Sequence, residues 1–247
     1  MIMPDKLYQE CRTLISGCRA IFEDLREAGI DTLPLAPGKI PPASNVPHEY
    51  QTPKAQAECS ASPETLADIQ QELASCQRCA RNSERTQVVF GVGNPAARLV
   101  LVGEHSDAEE ERQEEPFPGE AGLLLERILF AMKLSRDDVY ICNLLKCRTP
   151  HISDSGKAEV AACETSLKRQ LAAIAPEMIL SLGSFASQTL LQSEEAIGKL
   201  RGRWQSYAGI PLMPTFHPAD LLQNPAGKHQ VWEDVKQVMH RLQEGEG

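Results

Sequence analysis

The segment Arg98-Leu-Val-Leu-Val-Gly103 decides the fold class, because it is a short apolar run that ends at a glycine, as strands buried inside parallel sheets do. Three similar runs follow, and the periodicity of helices fills the intervals between them and the stretch after the last. The runs lie at residues 139–143, 178–183 and 210–215, and the helical segments at 119–133, 156–174, 184–191 and 229–242. Prolines in the run at 210–215 favour an edge position for that strand.

Strands that alternate with helices predict an α/β fold, here a three-layer αβα domain with a four-stranded parallel sheet. Ligands of such sheets bind beyond the carboxyl ends of the strands. The residues expected at that edge are Gly103, Glu104, His105, Asn143, Gly183 and His217.

The first quarter of the chain has a different pattern. Residues 5–28 place apolar side chains at steps of three and four, which predicts one amphipathic helix. Residues 33–63 hold seven prolines and show little periodicity, as a linker does. Pro63 suits the first position of a helix that runs toward residue 76. We therefore expect an N-terminal helix within residues 1–32, a Pro-rich linker at 33–62 and the α/β domain at 63–247.

Charge and hydropathy narrow the class of function. The net charge of −9 makes a nucleic-acid binder unexpected, but seven acidic residues and Arg112 are concentrated at residues 104–115. A basic face elsewhere on the domain is therefore compatible with the composition. No run of about 18 apolar residues predicts a membrane span, and the first residues lack the basic-then-apolar pattern of a secretory signal. We expect a cytoplasmic monomer with no membrane partner.

Four of the eight cysteines have spacings that suggest a metal site. Cys76 and Cys79 form a C-x2-C pair, and Cys147 and Cys163 follow singly. A zinc ribbon has a second close pair, whereas iron–sulfur sites join distant single cysteines. The spacing leaves zinc and iron–sulfur open, with a redox pair as a further alternative for the C-x2-C.

Short motifs along the α/β part occur in a fixed order. They are Gly103-Glu104, Glu110-Glu111, Pro116-Phe117-Pro118-Gly119, Ala121-Gly122, Asn143-Leu-Leu-Lys146-Cys147-Arg148, Leu182-Gly183, Arg201-Gly202 and His217-Pro-Ala-Asp-Leu221-Leu222. The combination resembles the family 4, iron–sulfur type, uracil-DNA glycosylases over about residues 76–240. The resemblance implies a 4Fe-4S cluster on Cys76, Cys79, Cys147 and Cys163. It also implies hydrolysis of the N-glycosidic bond of uracil in single- or double-stranded DNA, which leaves an abasic site for base excision repair.

The chemistry of the individual residues agrees with that implied activity. A flipped base needs a flat apolar surface, which Phe117 offers, and an amide such as that of Asn143 can tell uracil from cytosine. His217 can donate to uracil O2 as charge grows on the leaving base. Glu104 and Glu110 match family positions near the sugar, where carboxylates orient water and offset positive charge.

The surface around this pocket is expected to hold DNA. Basic side chains meet phosphates, and an apolar side chain can wedge into the place that the base has left. The residues that we assign to these contacts are Lys146, Arg148, Arg201, Arg203 and Leu221. Leu222 could serve as the wedge instead, and a place in the helix core is the alternative for either leucine. Residues 1–62 are a candidate docking segment for a repair or replication partner.

The first active-site loop departs from the family pattern, which is Gly-Glu-Ala-Pro-Gly. Here it reads Gly103-Glu104-His105-Ser106-Asp107. In one interpretation His105 helps to position the attacking water. In the other, the loop has lost its function, and the protein is a catalytically weakened iron–sulfur DNA-binding or adaptor protein of the same fold.

Overall fold

The computed structural model describes residues 64–79, 87–148 and 157–245. In these ranges the helices are α1 (Leu66–Ala74), α2 (Ala108–Gln113), α3 (Gly119–Ala131), α4 (Lys157–Ile174), α5 (Ser184–Leu191), α6 (Ile197–Leu200), α7 (Pro218–Gln223) and α8 (Lys228–Glu244). The strands are β1 (Val92–Gly93), β2 (Leu99–Ser106), β3 (Tyr140–Arg148), β4 (Met178–Leu182), β5 (Gln205–Tyr207) and β6 (Ile210–Thr215). Short 3-10 turns lie at Arg136–Asp138 and Pro225–Gly227.

The sheet has six strands in the order β1-β3-β2-β4-β6-β5. The four central strands are parallel, and the two short outer strands are antiparallel to their neighbours. Gly103 on β2 pairs in register with Asn143 on β3, and Leu182 on β4 pairs with Thr215 on β6. The carboxyl ends of the four parallel strands therefore meet at one edge of the sheet.

Two apolar cores, one on each face of the sheet, give the domain its three layers. Alternate residues of β2 point to opposite faces, because the side-chain period of a strand is two. Leu99 and Leu101 pack with α3 and α8, whereas Val100 and Val102 pack with α4 and α5. A smaller cluster joins α1 to Phe90. The predicted αβα architecture is confirmed.

The sequence interpretation missed the two outer strands and placed β6 wrongly. β6 is not an edge strand, because β5 pairs with it through Ser206 and Pro211 while β4 pairs with its other side. A proline removes only its own N–H from the ladder. The carbonyl of Pro214 still accepts a hydrogen bond from the N–H of Gly202. Two prolines are therefore tolerated inside the sheet.

Several predictions concern residues outside the described ranges. The amphipathic helix at 5–28 and the Pro-rich linker at 33–62 belong to this group. Within the described ranges, no helix combines the length and apolar character that a membrane span requires.

Candidate functional site

The site is built around Gly103, the residue of β2 that pairs in register with Asn143 on β3. A Cβ atom added to Gly103 would lie 2.3 Å from Oδ1 of Asn143 and 2.7 Å from Cζ of Phe117. Only a glycine leaves room for both groups at this point. Phe117 and Asn143 are 3% and 1% exposed. The aromatic ring and the amide that the sequence singled out therefore lie together in the interior, at the carboxyl edge of the sheet.

The turn that presents Phe117 is held by Arg136, which sequence reasoning missed. Phe117 has φ 57°, a left-handed conformation that is costly for a residue with a side chain. Arg136 donates to the carbonyl of Phe117 at 2.7 Å and to that of Pro116 at 3.2 Å. A Cβ atom on Gly122 would lie 1.9 Å from the same Phe117 carbonyl oxygen. Arg136 and Gly122 together fix the unusual backbone under the ring.

Glu110 connects the ring to the amide. One carboxylate oxygen accepts from the N–H of Phe117 at 2.6 Å, and the other accepts from Nδ2 of Asn143 at 2.7 Å. The second oxygen also accepts from the N–H of Asp107 at 3.3 Å. Burial raises the pKa of Glu110 to about 7, although these hydrogen bonds act in the opposite direction. Both carboxylate oxygens of Glu110 are therefore engaged by groups of the protein.

Asp107, in the divergent loop, caps the helix that carries Glu110. Its backbone is extended, with φ −101°, and its side chain accepts from the N–H groups of Glu109 and Glu110 at the start of α2. This is a helix cap, a role that aspartate fills well. β2 itself continues to Ser106, three residues beyond the predicted end, with a bulge between His105 and Ser106.

His217 lies against the Phe117 ring, with 5.2 Å between ring centroids. Its Nδ1 accepts from the N–H of Ala219 at 3.2 Å, so in a neutral imidazole the proton lies on Nε2. Burial lowers the pKa of His217 to about 4, and His105 contributes to that lowering. Burial also lowers the pKa of His105 itself. The two histidines that the sequence proposed are therefore neighbours, and both are neutral at pH 7.

Glu104 lies at the carboxyl ends of β2 and β4. It accepts from the N–H of Phe185, in the first turn of α5, at 2.8 Å. A Cβ atom on Gly183 would meet a Glu104 carboxylate oxygen at 2.2 Å and the Cβ of His217 at 3.1 Å. Burial raises the pKa of Glu104 to about 7, and the charge of Asp220 adds to the rise.

The four candidate metal ligands line one cavity, together with Lys146, Arg78 and Ser166. They are Cys76, Cys79, Cys147 and Cys163. Burial raises the pKa of Cys163 to about 11, and Cys147 and Cys79 are close enough to contribute. In the described part of the chain, no three His, Cys, Asp or Glu side chains form a group that could hold a metal ion. Four thiols around one cavity are the donor set that an iron–sulfur cluster uses.

Three of the residues assigned to DNA contacts are not available for them. Lys146 is 2% exposed and donates to the carbonyl of Phe90, so its assignment to phosphate is wrong. Leu221, also 2% exposed, belongs to the core, and the neighbouring Leu222 is the exposed leucine. The guanidinium of Arg201 is bound by the buried Asp234, which also accepts from Thr215 at 2.6 Å.

Arg148 and Arg203 are exposed, and their assignment to phosphate stays a prediction. Sequence reasoning missed Arg136 and the capping role of Asp107, and it quoted Gly122 within a motif without giving it a role. Their signals are ambiguous in a single sequence. An arginine followed by two aspartates, as Arg136 is, usually indicates a solvated surface.

Comparisons with known proteins identify the family of this chain. The model of the Uracil DNA glycosylase superfamily matches residues 90–236. The type-4 uracil-DNA glycosylase of Archaeoglobus fulgidus is 37% identical over 71% of this chain and 92% of its own length. Those of Saccharolobus solfataricus and Thermotoga maritima are 37% and 36% identical over 70% and 71% of this chain, and 85% and 93% of their own lengths. The chain therefore belongs to the uracil DNA glycosylase superfamily, and its type-4 members are among its relatives.

Proposed function

We propose that this protein excises uracil from DNA by hydrolysing the bond between N1 of the base and C1′ of the sugar. The observation that carries the proposal is the meeting of Phe117 and Asn143 at Gly103. A base that is still stacked in DNA cannot reach an amide that is 1% exposed. The target nucleotide would therefore have to be flipped out of the strand into the protein.

Recognition of the flipped base would use both sides of the site. Its face would stack on the Phe117 ring, an arrangement that aromatic surfaces favour. Oδ1 of Asn143 would accept from N3–H of uracil, and the Nδ2 hydrogen that Glu110 does not use would donate to O4. Thymine carries an extra methyl group, which the close packing around Gly103 would resist.

Cleavage of the glycosidic bond leaves its electron pair on the base, chiefly on O2. The Nε2–H of a neutral His217 would donate to that oxygen, because Nδ1 is already occupied by the N–H of Ala219. A hydrogen bond that strengthens as charge develops lowers the barrier of the reaction. The low pKa of His217, about 4, keeps the imidazole neutral at pH 7.

Water would then attack C1′ as the sugar gains positive charge. Glu104 also lies at this edge, and unlike Glu110 it accepts no hydrogen bond from Asn143 or Phe117. Its negative charge would offset the positive charge of the sugar. His105 neighbours His217 and is neutral, so its ring can accept a proton from the water. The base would leave with one proton from solvent, and an abasic site would remain.

We further propose that the cysteine cavity holds a 4Fe-4S cluster on Cys76, Cys79, Cys147 and Cys163. The support is the common cavity and the relatives' type-4 class. When bound, the cluster would act as a covalent cross-link between three chain segments and take no part in hydrolysis. Absorbance near 400 nm in the purified protein would support iron–sulfur over zinc. The Cys163→Ser variant should lose iron in elemental analysis.

The decisive experiment uses a labelled oligonucleotide with one uracil, incubated with the protein and then treated with alkali. Strand cleavage at the uracil, absent from a matched cytosine oligonucleotide and lost in Asn143→Ala, is the expected result. Binding without cleavage would instead favour the adaptor interpretation. In single-turnover assays His105→Ala should excise uracil more slowly, and an unchanged rate would remove His105 from the mechanism.

A further inference from the structure

The orientation of the Asn143 amide is determined by one contact. Nδ2 donates to Glu110 at 2.7 Å, so the amide nitrogen faces α2, and Oδ1 lies against Gly103. An amide can turn by 180° about its terminal bond, which exchanges the positions of oxygen and nitrogen. A carboxylate only accepts hydrogen bonds, and it would repel Oδ1 if the amide turned. Above about pH 7, where Glu110 is ionised, it therefore permits one of the two orientations.

The two orientations read different bases. As the structure has it, the amide offers an acceptor to N3 and a donor to position 4, which matches N3–H and O4 of uracil. After a half-turn it would offer a donor to N3 and an acceptor to position 4, which matches N3 and the amino group of cytosine. A site that is built for one pattern rejects the opposite pattern by several orders of magnitude, because buried polar groups would be left unpaired.

We propose that Glu110 is the specificity-determining residue of this site, because its carboxylate locks the Asn143 amide in the orientation that reads uracil and rejects cytosine. The inference rests on the proposed function and deepens it. It makes Glu110 a positioning residue, since both of its carboxylate oxygens are engaged by the protein.

The isosteric substitution Glu110→Gln tests the proposal, because the new side-chain amide can adopt only one orientation. The N–H of Phe117, 2.6 Å away, cannot turn and requires an oxygen, so the new side-chain oxygen must face it. The new NH2 group must then face Asn143 and replace the acceptor there. Only the weaker contact from the N–H of Asp107, at 3.3 Å, is lost. The NH2 group attracts Oδ1, and the Asn143 amide should turn to the cytosine-reading orientation.

The experiment compares full-length wild type, Glu110→Gln and the matched control Glu109→Gln in the oligonucleotide assay. Glu109 lies one position earlier on α2 and is paired with the exposed Arg112, outside the site. In Glu110→Gln the ratio of uracil to cytosine excision rates should fall by at least about 100-fold. The control should keep the wild-type ratio.

Because cytosine is the poorer leaving group, inhibition by the free bases provides a second readout. Free uracil should inhibit Glu110→Gln more weakly than wild type, and free cytosine more strongly. If wild type excises uracil while folded Glu110→Gln keeps the wild-type preference in both assays, the inference is wrong. If wild type does not excise uracil at all, the proposed function itself fails, and the two failures are thereby distinguished.

Discussion

The buried carboxyl of Glu110 should leave a measurable trace in the pH dependence of stability. Its pKa is about 7 in the folded protein, against an ordinary value of 4.5, chiefly because burial disfavours the charged form. Between these two pH values the folded state retains a proton that the unfolded state has lost. The free energy of unfolding therefore falls as pH rises through this window. The whole effect is about 3 kcal/mol, of which about 2.5 kcal/mol falls between pH 5 and pH 8.

The comparison of wild type with Glu110→Gln isolates this contribution, because glutamine does not titrate and the other groups are unchanged. Urea unfolding followed by tryptophan fluorescence at pH 5, 6, 7 and 8 gives the two free energies. The stability of Glu110→Gln relative to wild type should rise by about 2.5 kcal/mol over this range. Glu109→Gln should run parallel to wild type, because a hydrogen bond from Arg112 keeps the pKa of Glu109 below its ordinary value. A constant difference between wild type and Glu110→Gln would refute the reasoning.

Three further predictions concern the same edge of the sheet. Gly122→Ala should destabilise the protein by about 1–3 kcal/mol in urea unfolding, because its Cβ would lie 1.9 Å from the Phe117 carbonyl oxygen, whereas Gly198→Ala, with nothing within 4 Å, should not. Arg136→Gln should lower the single-turnover rate of uracil excision about 10- to 100-fold by releasing the turn under Phe117; an unchanged rate would make Arg136 dispensable. Excision by wild type should decline below about pH 7 as Glu104 and Glu110 gain protons, and a rate that is flat from pH 8 to pH 6 would contradict the roles given to these charges.

The parallel core of the fold was predictable because each central strand is a continuous apolar run. A strand that is buried on both faces is apolar along its whole length, so it can be recognised without knowledge of its neighbours. The ends of β6, for example, were predicted as observed. β1 and β5 have two and three residues and no apolar run of their own. They are strands because β3 and β6 offer them a ladder of hydrogen bonds, which no local pattern records. The prolines of β6 led to the wrong prediction of an edge strand for the same reason, because nothing in residues 210–215 indicates that β5 pairs with them.

Some of the site residues could likewise be predicted from the sequence, whereas the contacts that orient them could not. The types of residue at the strand ends indicated Asn143 and His217, because the parallel sheet brings strand ends together whatever the loops do. Phe117 was indicated instead by the motif Pro116-Phe117-Pro118-Gly119. The contacts that orient them come from Glu110 and Arg136, which are remote in sequence and depend on side-chain geometry. Lys146 was predicted to contact DNA phosphate, and that prediction was wrong. A lysine beside the strand end looked like a phosphate contact, but β3 continues past Asn143 and carries it into the interior.

The geometry of the divergent loop bears on whether this member of the superfamily retains catalysis. The family pattern has a glycine at the position of Asp107, and an aspartate would be strained there if the loop required a left-handed backbone. Asp107 instead has φ −101° and caps α2, and its capping box includes the Glu110 side chain. The substitution therefore stabilises the start of the helix that carries Glu110, and it does so without strain. The divergent loop therefore keeps Glu110 within 2.7 Å of the Asn143 amide, the contact on which the proposed reading of uracil depends.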